Sequence, residues 1–445
     1  MKTFLLVTAC VCFFCLPVTA QHEHHNMAQM KDSTGKKDGM EHMSMPMSHA
    51  FSRNLPMNRN GSGSSWLPDA SPMYGYMFHS RKWMYMVHGN VFLRYTYQDI
   101  GRKGDRGGDK FDAPNWFMLM AQRNVGKKGL FHYEVMVSLD RLTEGGAGYP
   151  LLFQSGESWK GQPLVDRQHP HDLFSGLSVG YAYALSKHAD IYASFGYPGE
   201  PALGSVAFMH RPSAMNNPDA PISHHWNDGT HITFGVATLG FRLYDFKLEG
   251  SVFTGREPDE NRYNFDKMRF DSWSGRISYN PSRNWALQVS HGHIRSPELL
   301  HPEEDIDRTT ASAVFSLPFA QHNHLNITGL WGLNKIKSHP GENAVLLEGA
   351  VNMKRTAVYT RYEWVEKSTE ELNLDPAQYG ADQLFTVHAL TAGVSYDLLR
   401  VAHTRLAVGA QCSVFFNEKA LHSLYGINPM AGEVYVRIYP DLMKL

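Results

Sequence analysis

The chain is nearly without cysteine: four in 445 residues, three of which are Cys10, Cys12 and Cys15. Only Cys412 follows them, so if the first twenty residues are removed no internal disulfide can form. Cys-based metal and redox motifs are excluded with it. Charge of one sign is also missing: 42 Lys+Arg stand against 43 Asp+Glu, a net charge of −1. Nucleic acid is therefore not an expected partner, because phosphate binding calls for a basic surplus or stripe. After the first 20 residues no stretch approaches 18 consecutive apolar residues, which excludes a helical membrane protein. A membrane barrel stays open, since its strands alternate and their mean hydropathy is low. Phosphate-loop, HExxH and dinucleotide signatures are absent too. The run Gly176-Leu177-Ser178-Val179-Gly180 matches the nucleophile-elbow pattern. That pattern needs a strand, a turn and a helix around the serine, and here it lies inside an alternating strand. An enzyme is not expected, and an outer-membrane hydrolase ranks third among the readings.

What the chain has in excess is histidine and methionine, 24 and 21 residues. Besides cysteine, these are the side chains that bind copper. Residues 1–20 read as a secretory signal: Lys2, an apolar stretch from Phe4 to Leu16, and Val18-Thr19-Ala20 as a small-residue cleavage site. Residues 21–65 read as a disordered Met/His-rich tail, rich in Lys, Asp, Ser, Asn and Gly and poor in core-forming residues. The tail carries His22, His24, His25, Met27, Met30, Met40, His42, Met43, Met45, Met47 and His49. Thioether sulfur suits Cu(I) or Ag(I), and imidazole suits Cu(II), Cu(I), zinc or nickel. A flexible segment bearing both predicts binding of copper in either oxidation state. Methionines this exposed are prone to oxidation, which weighs against an incidental linker.

Residues 66–445 read as a barrel. From Trp83 the chain alternates with period two. Trp83, Tyr85, Val87, Val91 and Leu93 fall on one face, and Met84, Met86, His88, Asn90 and Arg94 on the other. About sixteen such segments run to residue 439. Links of a few residues (186–188, 242–244, 354–355) alternate strictly with long ones (99–113, 141–172, 197–230). Short turns on one side, long loops on the other and an even strand count predict an all-β fold, a transmembrane antiparallel β-barrel of about sixteen strands. A soluble double sandwich would share the alternation but not the two classes of connection. The bacterial outer membrane is then the expected location, its lipid the surroundings, and the tail is expected in the periplasm.

Residues 162–172 (with His169, His171 and Asp172), 199–204, 210–215 and 255–265 resemble a family of bacterial outer-membrane barrel proteins found in metal-resistance contexts. The layout of Met/His-rich tail plus barrel is similar to copper-resistance outer-membrane proteins of the CopB type. The first resemblance implies the barrel fold, and both imply a metal-resistance setting. Neither assigns residues.

Two constellations in the barrel carry metal-ligand chemistry. Inward faces of the first three strands place Met84, Met86, His88, Met118, Met120, His132 and Met136 near the mouth where the tail enters, a candidate soft-metal relay. The two longest loops carry His169, His171, His210, Met215, His224 and His225 beside Asp166, Asp172 and Asp228. There a structural network with Arg167 and Arg211 competes with a metal site, and in either case the loops should fold against each other over or inside the barrel. The expected function is binding and handling of metal ions, copper first, in tolerance or trafficking, with periplasmic metal-handling proteins as further partners. A general or solute-selective porin with an incidental tail is the alternative.

Overall fold

A computed structural model describes residues 47–443 apart from 102, 103, 105 and 338. Sixteen antiparallel strands close into a barrel. They are β1 (Met84–Gln98), β2 (Asn115–Val125), β3 (Gly129–Val137), β4 (Phe174–Ala184), β5 (Ala189–Gly196), β6 (Val236–Leu243), β7 (Phe246–Phe253) and β8 (Ser272–Ser282). The circuit continues with β9 (Trp285–Arg295), β10 (Asp305–Phe319), β11 (Asn323–Ile336), β12 (Glu342–Met353), β13 (Thr356–Ser368), β14 (Leu384–Val401), β15 (Thr404–Asn417) and β16 (Met430–Pro440). Closure runs between β16 and the upper half of β1, from Ala431 opposite Gln98 to Ile438 opposite Val91. Two shorter segments complete the pairing of β1: Tyr76–His79 along its lower half and Gly108–Asp112 along its upper half.

The alternation in the sequence becomes an inside and an outside. On β6 and β7, Leu239 and Leu248 are about 60% exposed (61% and 59%), while Lys247 and Glu249 between and opposite them are buried. Phe241, Leu243, Phe246, Val252, Trp273, Ile277 and Val289 extend the exposed apolar belt around neighbouring strands. A belt of that extent is not stable against water. Together with full closure, which leaves no unpaired edge, it is the surface of a barrel seated in membrane lipid. Ser178 lies within β4, between the outward-facing and exposed Leu177 and Val179. No strand–turn–helix surrounds it.

The lumen holds charge, much of it in ion pairs. Arg94 on β1 meets Asp112 at 2.7 Å and Asp219 at 2.6 Å, and Arg276 on β8 meets Glu249 at 3.0 Å. Ion pairs this deep survive only when every partner is present, since removing one partner costs about 3–5 kcal/mol.

The tail boundary needs correcting. Residues 47–65, expected to be disordered, are folded. Ser48–His49 pairs with Ser52–Pro56, and Met47, His49, Phe51, Met57 and Trp66 are buried. This segment crosses the barrel mouth on the side of the short turns. Arg53 donates to the Gly126 carbonyl, Asn54 to Ser186, and Arg59 pairs with Asp69 at 2.5 Å and Asp245 at 3.2 Å. Farther along, Ala70 N donates to the Arg283 carbonyl and the Tyr74 hydroxyl meets His324 at 2.8 Å. Few apolar residues suffice because the lumen wall supplies the other half of each contact. The ring of Phe51 packs against His132 and Tyr192, both at 4.4 Å between centroids. The small residues of β4 make room for this packing. A Cβ on Gly180 would lie 2.1 Å from the His132 ring.

Candidate metal centre

The loop joining β5 to β6 turns inward and threads the lumen. Ala202 N donates to Ser251 on β7, Gly204 N to Ser290 on β9, and the Ser223 hydroxyl to Glu363 on β13. Asp219 takes Arg94 of β1, and Arg437 of β16 donates to Asn216. These anchors span most of the wall, so the loop fills the barrel at mid-height. The β3–β4 loop packs onto it through Tyr149, Leu151, Leu152 and Phe153, which share an apolar cluster with Ile222 and the fully buried Trp226. The two longest loops thus fold against each other inside the barrel.

Five histidines meet where these loops touch: His169 and His171 from the first, His224, His225 and His231 from the second. Ring centroids are 5.6 Å apart for His169–His225, 5.1 Å for His224–His225, 5.0 Å for His224–His231 and 5.5 Å for His171–His231. One ring nitrogen from each of His169, His224 and His225 lies within 4.8 Å of the other two.

Three Nδ1 atoms are hydrogen-bonded: His171 to Asp140 at 2.7 Å, His224 to Asp228 at 2.7 Å and His231 to the Asp228 carbonyl at 2.8 Å, while Nδ1 of His169 lies 3.2 Å from Glu157 and 3.4 Å from the Pro170 carbonyl. Nδ1 of His225 lies 3.6 Å from Glu257. The five Nε2 atoms are buried and have no hydrogen-bond partner among the described residues. An Nδ1–H committed to a carboxylate or carbonyl leaves the Nε2 lone pair for a ligand, the arrangement that orients metal-binding imidazoles. Burial holds the imidazoles of His169, His224 and His231 below their ordinary pKa, hence neutral. Burial alone would raise the Asp228 carboxyl, but the charge of Arg211 and the hydrogen bond from His224 outweigh it and keep it ionised.

The partners are themselves held. Arg211 bridges Asp228 (2.8 Å) and Glu348 of β12 (2.7 Å), and Arg262 joins Asp172 (3.1 Å) and Glu157. Gly204, at φ +92°, lets the chain pass Asn227; a Cβ there would sit 2.3 Å from the Asn227 carbonyl. Residues 162–172, 199–204, 210–215 and 255–265 lie far apart in the chain, yet each contributes to this one centre.

Of the residues expected here, His169, His171 and His224 are together. Asp172 serves through Arg262. His210 belongs elsewhere: its ring lies 4.7 Å from Trp116 and 5.7 Å from His88, because the single turn Phe208–His210 points it toward β1 and β2. His225, noted in the same loop but not among the side chains expected to meet, joins them, and His231 is an addition from the structure. The doublet His224-His225 and the spacing to His231 were the available signals.

Met86, Met118, Met120 and Met136 face inward as expected and are buried, with Met84 half-buried beside them. His132 is buried on the same wall. Met47 joins this group from the mouth segment, whereas His49 folds back and accepts from Phe51 N at 3.0 Å. His22, His24, His25, Met27, Met30, Met40, His42, Met43 and Met45 lie outside the described residues.

Above the five histidines a vestibule of about 350 Å³ opens among the long loops, lined by His225, Glu257, Glu298, His301, Glu304 and Glu370 among others. Among its charged lining residues carboxylates outnumber the basic Arg256, Lys267, Arg269 and Arg308. His301 pairs with Glu370 at 2.7 Å and His339 with Glu304 at 3.1 Å.

Together these features define a membrane β-barrel of the outer-membrane type with an internal histidine centre. No family model and no curated protein matches the chain. Among solved structures it is similar to OmpF of Salmonella typhi, with 9% identity over 82% of this chain and 100% of that one and a TM-score of 0.49. It is also similar to the anion-selective porin of Comamonas acidovorans, with 10% identity, 81% and 99% covered, TM-score 0.47. The channel DcaP of Acinetobacter baumannii matches at 9% identity, 81% and 99% covered, TM-score 0.45. At such identities and scores the likeness carries no functional argument.

Proposed function

We propose that this barrel binds and handles a transition-metal ion, copper first, at the histidine centre in its lumen. The observation that carries the reading is the cluster of five imidazoles whose Nδ1 atoms face carboxylate or carbonyl oxygens and whose buried Nε2 atoms have no partner among the described residues. An apolar or hydrogen-bonded core has no use for five orphan acceptors, since each buried unsatisfied group costs about 1–3 kcal/mol. Neutral imidazoles suit Cu(II), zinc and nickel. An ion with bonds near 2.0–2.1 Å would draw the nitrogens of His169, His224 and His225, now within 4.8 Å of one another, to roughly 3.3 Å apart, a shift of less than ~1 Å per ring. The acidic vestibule would gather cations toward His225, and the Met/His-rich tail would exchange ions with periplasmic carriers. The resemblance to barrels of metal-resistance contexts agrees with this reading.

Purified protein should take up Cu(II) with nitrogen hyperfine structure in its paramagnetic resonance spectrum. A variant lacking residues 21–46 should keep that signal, and His224→Asn in the same background should lose it. If the truncated protein binds no Cu(II), zinc or nickel, the reading is overturned. The vestibule also favours a second reading, a solute-selective channel of which it would be the entrance. In that case solute uptake would persist unchanged in His224→Asn and be indifferent to copper.

A further inference from the structure

Below the histidine centre, toward the short-turn mouth, the lumen changes chemistry. Elsewhere much of its wall is polar or charged, whereas in the sector of β1 to β3 the lower wall carries a cluster of methionines. Met86, Met118, Met120 and Met136 point inward from the strands, Met47, Met57 and Met73 approach from the mouth segment, and Met209 comes down from the β5–β6 loop. The register explains the grouping: Met86 stands opposite Met120, and Met118 opposite both His88 and Met136.

Methionine often fills irregular space, and packing alone would account for a closed cluster. This cluster is not closed. A cavity of about 90 Å³ remains, lined by Met86, Met118, Met120, Met209, His88 and His210 among others, with Arg211 and Arg437, both committed to hydrogen bonds with other groups, at its edge. Packing alone would not call for two imidazoles among the thioethers. His88 Nε2 is buried there without a hydrogen-bond partner among the described residues. Met209 and Met215 line this cavity and also a smaller one, about 50 Å³, that reaches His169 and His171. The two centres are therefore stacked along the lumen with methionine at the junction.

We infer that the lower cavity is a second metal site, for a soft monovalent ion, Cu(I) or Ag(I), bound by the thioethers of Met86, Met118, Met120 and Met209 together with His88 or His210. Thioether and neutral imidazole form a donor set of this softness. The site uses none of the five upper histidines, so it stands whether or not these bind a divalent ion.

Silver(I), which needs no reductant, is the probe. Full-length protein in detergent and chloride-free buffer is titrated by calorimetry, wild type against Met118→Leu/Met120→Leu, a substitution that nearly conserves volume. The double variant should bind one Ag(I) equivalent fewer per chain, with tail binding retained and Cu(II) uptake unchanged. Equal stoichiometry and affinity in the two proteins would overturn the site. Should the double variant fail to fold, methionine-methyl carbon resonances of the wild type decide, assigned through single variants Met86→Leu and Met209→Leu. Early Ag(I) equivalents should shift the methyls of Met86 and Met209. Shifts confined to the tail methionines would reject the proposal.

Discussion

The upper and lower halves of the lumen are built on opposite plans. The upper centre rests on two long loops that carry their own scaffolding, with Asp140, Asp228 and Glu157 aiming the imidazoles and Arg211 and Arg262 aiming the carboxylates. The lower cavity is set mainly by strand register, with the mouth segment and Met209 laid against it. A loop site needs a network to hold its geometry, because loop backbone is not fixed by a ladder of hydrogen bonds. A strand site inherits its geometry from the sheet. The upper half should therefore be fragile to the loss of one charge, and the lower half tolerant of conservative change.

The sharpest way to break this contrast is Arg211→Leu. It leaves Asp228 and Glu348 buried without their shared cation, at a cost of about 3–5 kcal/mol. The temperature at which the folded gel band converts to the heated form should fall. Conductance in planar bilayers should rise as the loop loosens, and divalent binding should be lost while silver binding survives. Equal loss at both sites would show that the halves are one cooperative unit.

Next in size is the removal of a ligand itself. His224→Ala should weaken Cu(II) or zinc binding by more than the roughly 10–100-fold expected for losing an orienting partner. Asp140→Asn, which touches only the Nδ1 side of His171, should fall within that 10–100-fold range. Calorimetry on the tail-truncated protein reads both, and a larger effect from Asp140→Asn would reverse the assignment of roles.

The smallest effect is with pH. His169, His224 and His231 are held neutral in the folded protein by burial, below their ordinary value of about 6.5. The unfolded chain then takes up more protons than the folded one as pH falls below about 6.5, so the fold loses stability in that direction. Metal binding to imidazole weakens over acid pH as well. Thioether sulfur does not titrate, so silver binding in the lower cavity should be much flatter between pH 7.5 and 5. Parallel pH profiles for the two ions would remove the distinction between the sites.

Much of this molecule is legible along the chain. Period-two alternation marks all sixteen strands, and the strict exchange of short and long links orders them into a barrel, because each strand has one lipid face and one lumenal face wherever it sits. The same parity puts Met86, His88, Met118 and Met120 inside. The folding of residues 47–65 escapes such a reading. Their composition is that of a solvated linker, and Phe51 and Trp66 become anchors only once a barrel wall stands opposite them. His231 and the separation of His210 from its neighbours escape it too. Periodicity speaks of which face a residue occupies within a regular element, but loop residues have no period. Whether His169 meets His225 or His88 meets His210 depends on how some thirty-residue loops fold back into a closed lumen, and there the buried pairs Arg94–Asp219 and Arg211–Glu348 decide the path. Sequence alone determined the barrel and its two faces, since these follow from local alternation. The two centres inside it come from contacts between residues far apart in the chain, which only the tertiary structure brings together.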